Sequence, residues 1–258
     1  MGVPVKISKG KNEMLDIEKA LIENHADKRI ILQKPSVTQI TPLDLTENVI
    51  KPSFYAAERF VTVENIMKGI SDGYVIKKLS DVAEFVTTSR KGFLVSESVK
   101  HISVLHVNSN STINFNEVEH FVPVSKGRKV ESGDLIFSKL NPRIPRMAVI
   151  PEKEYDLVCS NEFEIIKPTG DIDAYMLCFL LKTSNVMVQI ESMTSGTSSS
   201  HSRIKREQLG EILLPVPVAD DKKKICRELG KKIERAINEI YQGENIISEQ
   251  QRYLSELA

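Results

Sequence analysis

Lys139, Asn141, Arg143 and Arg146 fall within a few residues of one another, interleaved with Pro142 and Pro145. Lysine and arginine grip phosphate oxygens, and arginine and asparagine can hydrogen-bond base edges in a major groove. Proline stiffens such a loop, so presenting its donors loses less entropy. The surrounding segment, Pro123 to Ile150, has six basic residues (Lys126, Arg128, Lys129, Lys139, Arg143, Arg146) against Glu131 and Asp134. A second basic stretch, Gly196 to Arg206, holds Arg203, Lys205 and Arg206 and no acid; Ser198, Ser199, Ser200, His201 and Ser202 supply small donors beside them. Thr87, Thr88, Ser89, Arg90 and Lys91 make a third polar, basic loop. Each stretch admits two readings at this point, a polyanion-binding surface or a solvated loop. For Arg143 the competing reading is an internal ion pair with a carboxylate such as Glu162.

Catalytic patterns are absent from the sequence. There is no Walker-type phosphate loop, no GxGxxG, no HExxH helix and no His/Cys cluster with metal spacing. His201 lacks an evident nucleophile to serve. Asp134, Glu162 and Glu164 are the acids from which a nuclease metal site would have to be assembled. The expectation is a chain with no catalytic residues, no metal and no cofactor. Cys159, Cys178 and Cys226 are widely spaced, which argues for buried thiols rather than a disulfide framework or a zinc site. Net charge is zero, with 35 basic and 35 acidic residues, so any affinity for nucleic acid must come from local patches. No apolar run is long enough to span a membrane, and the polar start from Met1 to Lys11 lacks a signal-type stretch, so a cytoplasmic location is expected.

The elements that must position these loops divide the 258 residues into three parts. Residues 1–73 are a mixed, partly helical segment, with helical spacing from Met14 to Ala26, a short strand at Ile30 to Leu32 and a helix from Pro52 to Met67. Residues 74–219 alternate short β-rich runs with turn signals: Val82 to Thr87, Ile102 to Val107, His120 to Val124, Leu135 to Phe137, Met147 to Ile150, Leu157 to Cys159 and Phe163 to Ile166. A helix is expected from Ala174 to Met193, and an edge strand, carrying two prolines, from Ile212 to Val218. The fold class is therefore α+β, with a curved, mostly antiparallel sheet and short helices. Residues 220–258 form a long helix opened by Asp220 and Asp221. Leu229, Ile233, Ala236, Ile240, Gly243, Ile247, Gln250, Leu254 and Leu257 follow a 4-3 spacing for about four heptads, which points to a coiled-coil partner. Packing on the chain's own domain is the alternative.

Three motifs follow one another in order: Ser132-Gly133-Asp134-Leu135-Ile136-Phe137-Ser138-Lys139-Leu140-Asn141-Pro142-Arg143; Cys159-Ser160-Asn161-Glu162-Phe163; and Ser195-Gly196-Thr197-Ser198-Ser199-Ser200-His201-Ser202-Arg203-Ile204 with Leu209 and Leu214-Pro215-Val216-Pro217. With the opening Leu79-Ser80-Asp81-Val82-Ala83-Glu84-Phe85 and the long helix, the set resembles a target recognition domain and spacer of the DNA-specificity (S) subunits of type I restriction–modification systems. The resemblance covers residues 74–258. It implies double-stranded DNA as a partner, a serine-rich loop facing that DNA, and a helix that docks DNA methyltransferase subunits. Chemistry would belong to those subunits. Members commonly carry two recognition domains and two spacers, whereas this chain has one of each. Its Asp220-Asp221-Lys222 also departs from the family's acidic-acidic-Gln step. A single-domain half-subunit acting as a homodimer, with antiparallel helices, is the implied form. A metal-dependent restriction endonuclease with its own active site, and a coiled-coil interaction protein that ignores DNA, are the alternatives.

Overall fold

The computed structural model describes residues 40, 55, 57–86, 99–195 and 202–257. In chain order these form α1 (Ala57–Lys68), β1 (Tyr74–Lys78), β2 (Ala83–Phe85), β3 (Val99–Ile102), α2 (Phe115–His120), β4 (Arg128–Val130), β5 (Leu135–Ser138), β6 (Met147–Val149), β7 (Asp156–Cys159), β8 (Phe163–Pro168), α3 (Ala174–Leu180), α4 (Ser184–Met193), α5 (Arg206–Gly210), β9 (Leu213–Pro217) and α6 (Asp220–Leu257). Short 3-10 turns occupy Leu79–Asp81 and Val104–His106. The expected elements at Met14 to Ala26 and Ile30 to Leu32 lie outside the described residues. So do the expected start, at Pro52, of the helix running to Met67 and the loop bearing Arg90 and Lys91.

The central sheet is antiparallel, in the order β2-β8-β5-β6. Side chains alternate across a strand, so its apolar residues divide between two faces. Leu135, Phe137, Met147, Val149 and Ile166 pack on one side against Leu177, Leu181, Ile190, Leu209 and Leu214. Ile136, Ala148, Phe163 and Ile165 pack on the other against Ile102, Val118 and Leu157. Burial on both faces explains why β5 reads as an unbroken apolar run. Full burial of each such side chain stabilises the fold by about 1.5–3 kcal/mol.

The fold class is α+β and mostly antiparallel, but among the described residues the strands form three sheets rather than one. β1 pairs with β9 antiparallel, each the other's only partner among the described residues, so Pro215 and Pro217 are accommodated without an unmet ladder bond. In the third sheet β7 pairs parallel with β3 and antiparallel with β4. The strand expected at His120 to Val124 does not form. The Asn114 side chain caps α2 by accepting from the Glu117 amide, and α2 runs to His120. Val122 and Val124 beyond it are exposed, so their alternation does not reflect burial. The helix expected at Ala174 to Met193 is two helices, because Thr183 adopts an extended backbone and bonds back to the Leu180 carbonyl.

Helix α6 has two apolar stripes rather than one. Cys226, Gly230, Ile237 and Tyr241 are buried against the domain, with Ile233 at their edge. The Tyr241 hydroxyl accepts from the Ile113 amide at 3.0 Å, and its ring meets Phe115 at 5.4 Å. Gly230 permits this approach: a Cβ there would fall 1.9 Å from the Asp173 carboxylate. The 4-3 stripe lies roughly 90° around the helix from the first, at 3.6 residues per turn. Leu229, Ala236, Ile240, Ile247, Leu254 and Leu257 on it are exposed. Its Ile233 is half-buried by the domain and is not wholly available to a partner. Every described residue from 249 to 257 is exposed, so the end of the helix projects beyond the domain.

Candidate nucleic-acid interface

β5 leaves the central sheet at the same end at which β8 enters it. Ser138 pairs with Phe163, and the Lys139 amide continues the ladder to the Glu162 carbonyl at 2.8 Å. The Ser138 amide bonds the Arg146 carbonyl at 2.9 Å, which closes the 139–146 loop on itself. Asn141 has φ 46°, in the left-handed region that asparagine tolerates better than most residues, and the Ile144 amide donates to its carbonyl. The Asn141 side chain accepts from Arg143 Nε at 3.5 Å, so it shapes the turn.

The second basic stretch is stitched to this loop. Leu140 bridges Arg203, the Asn141 amide donates to the Ser202 carbonyl at 2.8 Å, and the Ile204 amide donates to the Lys139 carbonyl at 3.2 Å. Ser195 and Arg203 exchange both backbone bonds, at 2.9 and 2.7 Å. Two segments far apart in sequence therefore make one surface. Arg143 and Lys205 are exposed on it, and Arg146 and Lys139 are half-buried. Ser198, Ser199, Ser200 and His201 lie outside the described residues.

Glu162 and Glu164, which the sequence offered as acids of a metal site and, for Glu162, as a partner of Arg143, organise the cations instead. Glu164 lies on β8 and Glu162 in the turn that leads into it, and both line one cleft. Glu164, with 4% of its side chain exposed, lies between Lys139 (3.3 Å) and Arg206 (2.9 Å). Glu162 takes a two-point fork from Arg203, Nε to Oε2 at 3.0 Å and Nη2 to Oε1 at 2.9 Å. That fork holds the Glu162 carboxyl below its ordinary range despite partial burial, and raises the Arg203 guanidinium. Glu162 thus forms its ion pair with Arg203, not with Arg143 as the competing reading supposed. The cluster bounds an open cleft of about 500 Å³ lined by Lys139, Glu162, Glu164, Arg203, Lys205 and Arg206.

Other basic residues of the 123–150 segment go elsewhere. Arg128 donates to the Phe163 carbonyl inside the fold, and Lys129 pairs with Asp156 at 3.0 Å. Nor do the acids converge on an ion. Asp134 is buried and accepts from the Glu131 amide at 2.8 Å, closing a tight turn. It stands three residues along the strand ladder from the level of Glu164, roughly 10 Å at the usual rise per residue. Among the described residues no three His, Cys, Asp or Glu side chains form a metal-holding group. Cys159, Cys178 and Cys226 are buried free thiols; burial pushes Cys159 up to about 12 and Cys178 to about 11. No helix among the described residues is long and apolar enough to cross a membrane.

No family model matches the chain, and no curated protein matches it. Among solved structures it is similar to the HsdS subunit from Thermoanaerobacter tengcongensis, at 19% identity and a TM-score of 0.49, over 73% of this chain and 48% of that one. It is also similar to a chain of a structure described as the basis of complex assembly and conformational transition of the type I R-M system, at 17% identity and a TM-score of 0.49, over 71% and 47%. The type I restriction-modification system S subunit from M. genitalium is similar at 11% identity and a TM-score of 0.41, over 66% and 41%. The chain thus spans less than half the length of each of these solved chains.

Proposed function

We propose that this chain is a non-catalytic DNA-recognition half-subunit of a type I-like restriction–modification complex, acting on double-stranded DNA in the cytoplasm. The joined 139–146 and 202–206 loops are its duplex-facing surface. The observation that carries the reading is the stitching of two distant basic stretches into one rim at the end of the central sheet. Isolated solvated loops have no need of that union, whereas a surface that must match phosphate spacing does. On this rim Lys139, Arg143, Arg146, Arg203, Lys205 and Arg206 outnumber Glu162, Glu164 and Glu207. The order of the sequence motifs supports the same reading.

The tail supplies the second part of the function. The stripe at Leu229, Ile240, Ile247 and Leu254 stays exposed beside a helix that already covers its own domain. Charge is unevenly spread along that helix. Lys222, Lys223, Lys224, Arg227, Lys231, Lys232 and Arg235 outnumber Asp220, Asp221, Glu228 and Glu234 in the first half, while Glu239, Glu244, Glu249 and Glu256 dominate the second with Arg252 alone. Antiparallel pairing sets the basic half of one copy beside the acidic half of the other. A homodimer of this kind presents two recognition surfaces related by a two-fold axis, which fits a split, symmetric target. A DNA methyltransferase subunit is the partner that would act at the bound site.

Titrating the purified chain with a fluorescent duplex at low salt tests the reading. Binding that weakens steeply with salt supports it. No binding at about 50 mM salt, where phosphate-gripping proteins hold duplex well, would leave the interaction-protein alternative standing. Cutting of plasmid by the purified chain with magnesium alone would establish the nuclease alternative instead.

A further inference from the structure

The fork between Arg203 and Glu162 bears directly on how such a surface would meet a phosphate. A guanidinium offers two parallel N–H groups that fit a carboxylate and a phosphate in the same way. In this structure Nε and Nη2 of Arg203 are both committed to Glu162. The pair is at the surface, with 48% of the Arg203 side chain and 35% of the Glu162 side chain exposed. It is therefore open to competition from solvent-borne anions, unlike Glu164, which is enclosed between Lys139 and Arg206. Arg203 is also anchored through its backbone to Ser195, and its neighbours Ser202 and Ile204 to Asn141 and Lys139. Its side chain can change partner while its Cα stays in place.

Resting on the DNA-binding reading above, we propose that Glu162 is an electrostatic latch. It occupies the phosphate-gripping fork of Arg203 in the free protein and yields it when a DNA phosphate arrives. Any duplex must then displace a carboxylate before it gains the contact. Glu162 is in this sense a positioning residue that lowers affinity for DNA in general, and it acts through Arg203 rather than by touching DNA. Glu207 lines the same cleft but has no place in the fork, so it serves as a control for charge alone.

The test is duplex affinity, by fluorescence anisotropy at about 100 mM salt, where surface charges are still felt, for the full chain and for Glu162→Gln, Glu162→Asp, Glu207→Gln, Arg203→Gln and the Glu162→Gln/Arg203→Gln double variant. The latch predicts roughly three- to tenfold tighter binding for Glu162→Gln. Glu162→Asp, one methylene shorter with the charge kept, should gain part of that factor by withdrawing from the fork. It also keeps the test decisive should the glutamine variant fold poorly. Glu207→Gln should gain clearly less, and the double variant should lose the gain altogether. Glu162→Gln equal to or weaker than the parent, a gain that survives removal of Arg203, or an equal gain from Glu207→Gln would each overturn the latch while leaving the DNA reading intact. Failure of the parent and every variant to bind duplex would overturn the DNA reading and the latch with it.

Discussion

Glu164 is enclosed between Lys139 and Arg206, which makes it a structural charge at the edge of the proposed DNA face. Removing one member of such a set strands the others, though both cations keep some contact with water. Glu164→Gln should therefore lower stability by about 1–3 kcal/mol, read by urea unfolding. An unchanged midpoint would show that solvent already screens the pair. For the same reason Lys139 is a poor probe of DNA binding, since its loss leaves a buried carboxylate undercompensated, and Arg143 and Lys205 are better ones. A second residue-scale expectation concerns acid. His101 and His106 are buried, flank Phe121 and lie below the usual histidine range chiefly because burial penalises the charged ring. Glu117 opposes this at His106. Their folded pKa values are below the unfolded ones, so the folded chain binds fewer protons. Their contribution is complete above about pH 6.5 and is lost as pH falls through the depressed values. Thermal unfolding followed from about pH 8 down to about pH 5, the range that brackets histidine titration, should show that decline. His101→Leu should flatten it, because neither ring nitrogen has a hydrogen-bond partner among the described residues. A slope that His101→Leu leaves untouched would place the titration elsewhere. The cations of the candidate site were legible as residue types, and Glu162 as an internal carboxylate partner, but its pairing with Arg203 rather than Arg143 was not, because that depends on the β5–β8 register and the Leu140–Arg203 bridge. The one available signal was the i, i+2 pair of acids about Phe163.

At the scale of elements, α6 carries information that one period cannot separate. The 4-3 spacing correctly marks a helix with an apolar seam, yet that seam is the exposed stripe; the buried one, Cys226 to Tyr241, uses a mixture of small, thiol and aromatic residues that blurs its signal. The two glycines Gly230 and Gly243 separate the stripes experimentally. Gly230→Ala forces the Asp173 carboxylate away from its cap on α3, where it accepts from the Met176 amide at 2.8 Å. It should cost about 1 kcal/mol, and combining it with Asp173→Ala should cost little more than either alone. Gly243 meets nothing within 4 Å. Gly243→Ala should stabilise the monomer by about 0.5–1 kcal/mol through helix propensity. Chemical denaturation at low protein concentration checks both, and additive costs for the Gly230 and Asp173 pair would contradict the cap argument. Strands β5 and β6 of the central sheet were legible because burial on both faces leaves unbroken apolar runs. Helix α2 was not, since one turn and a half capped by Asn114 gives too short a pattern, and the break before Thr183 leaves no proline or glycine mark.

The described residues combine a charged rim at one end of the central sheet with a long helix that carries an exposed apolar stripe. Ile247→Glu with Leu254→Glu should convert a dimer to a monomer in sedimentation without lowering the unfolding temperature of the dilute protein, because both side chains are exposed. A dimer that survives would move the interface elsewhere. The start of the long helix at Asp220 was readable from the change in hydrophobic period there; which basic stretches share a face was not, since only the three-dimensional course of the chain unites residues 139–146 with 202–206. The most direct test of the central claim is the salt dependence of duplex binding, compared between the parent chain and Arg143→Gln/Lys205→Gln. If these loops grip phosphates, log K should fall steeply with log salt for the parent, and the double variant should have a slope smaller by about 1.8, near 0.9 for each phosphate no longer gripped. Equal slopes and equal affinities would contradict the claim, because the rim would then make no contact with the DNA backbone.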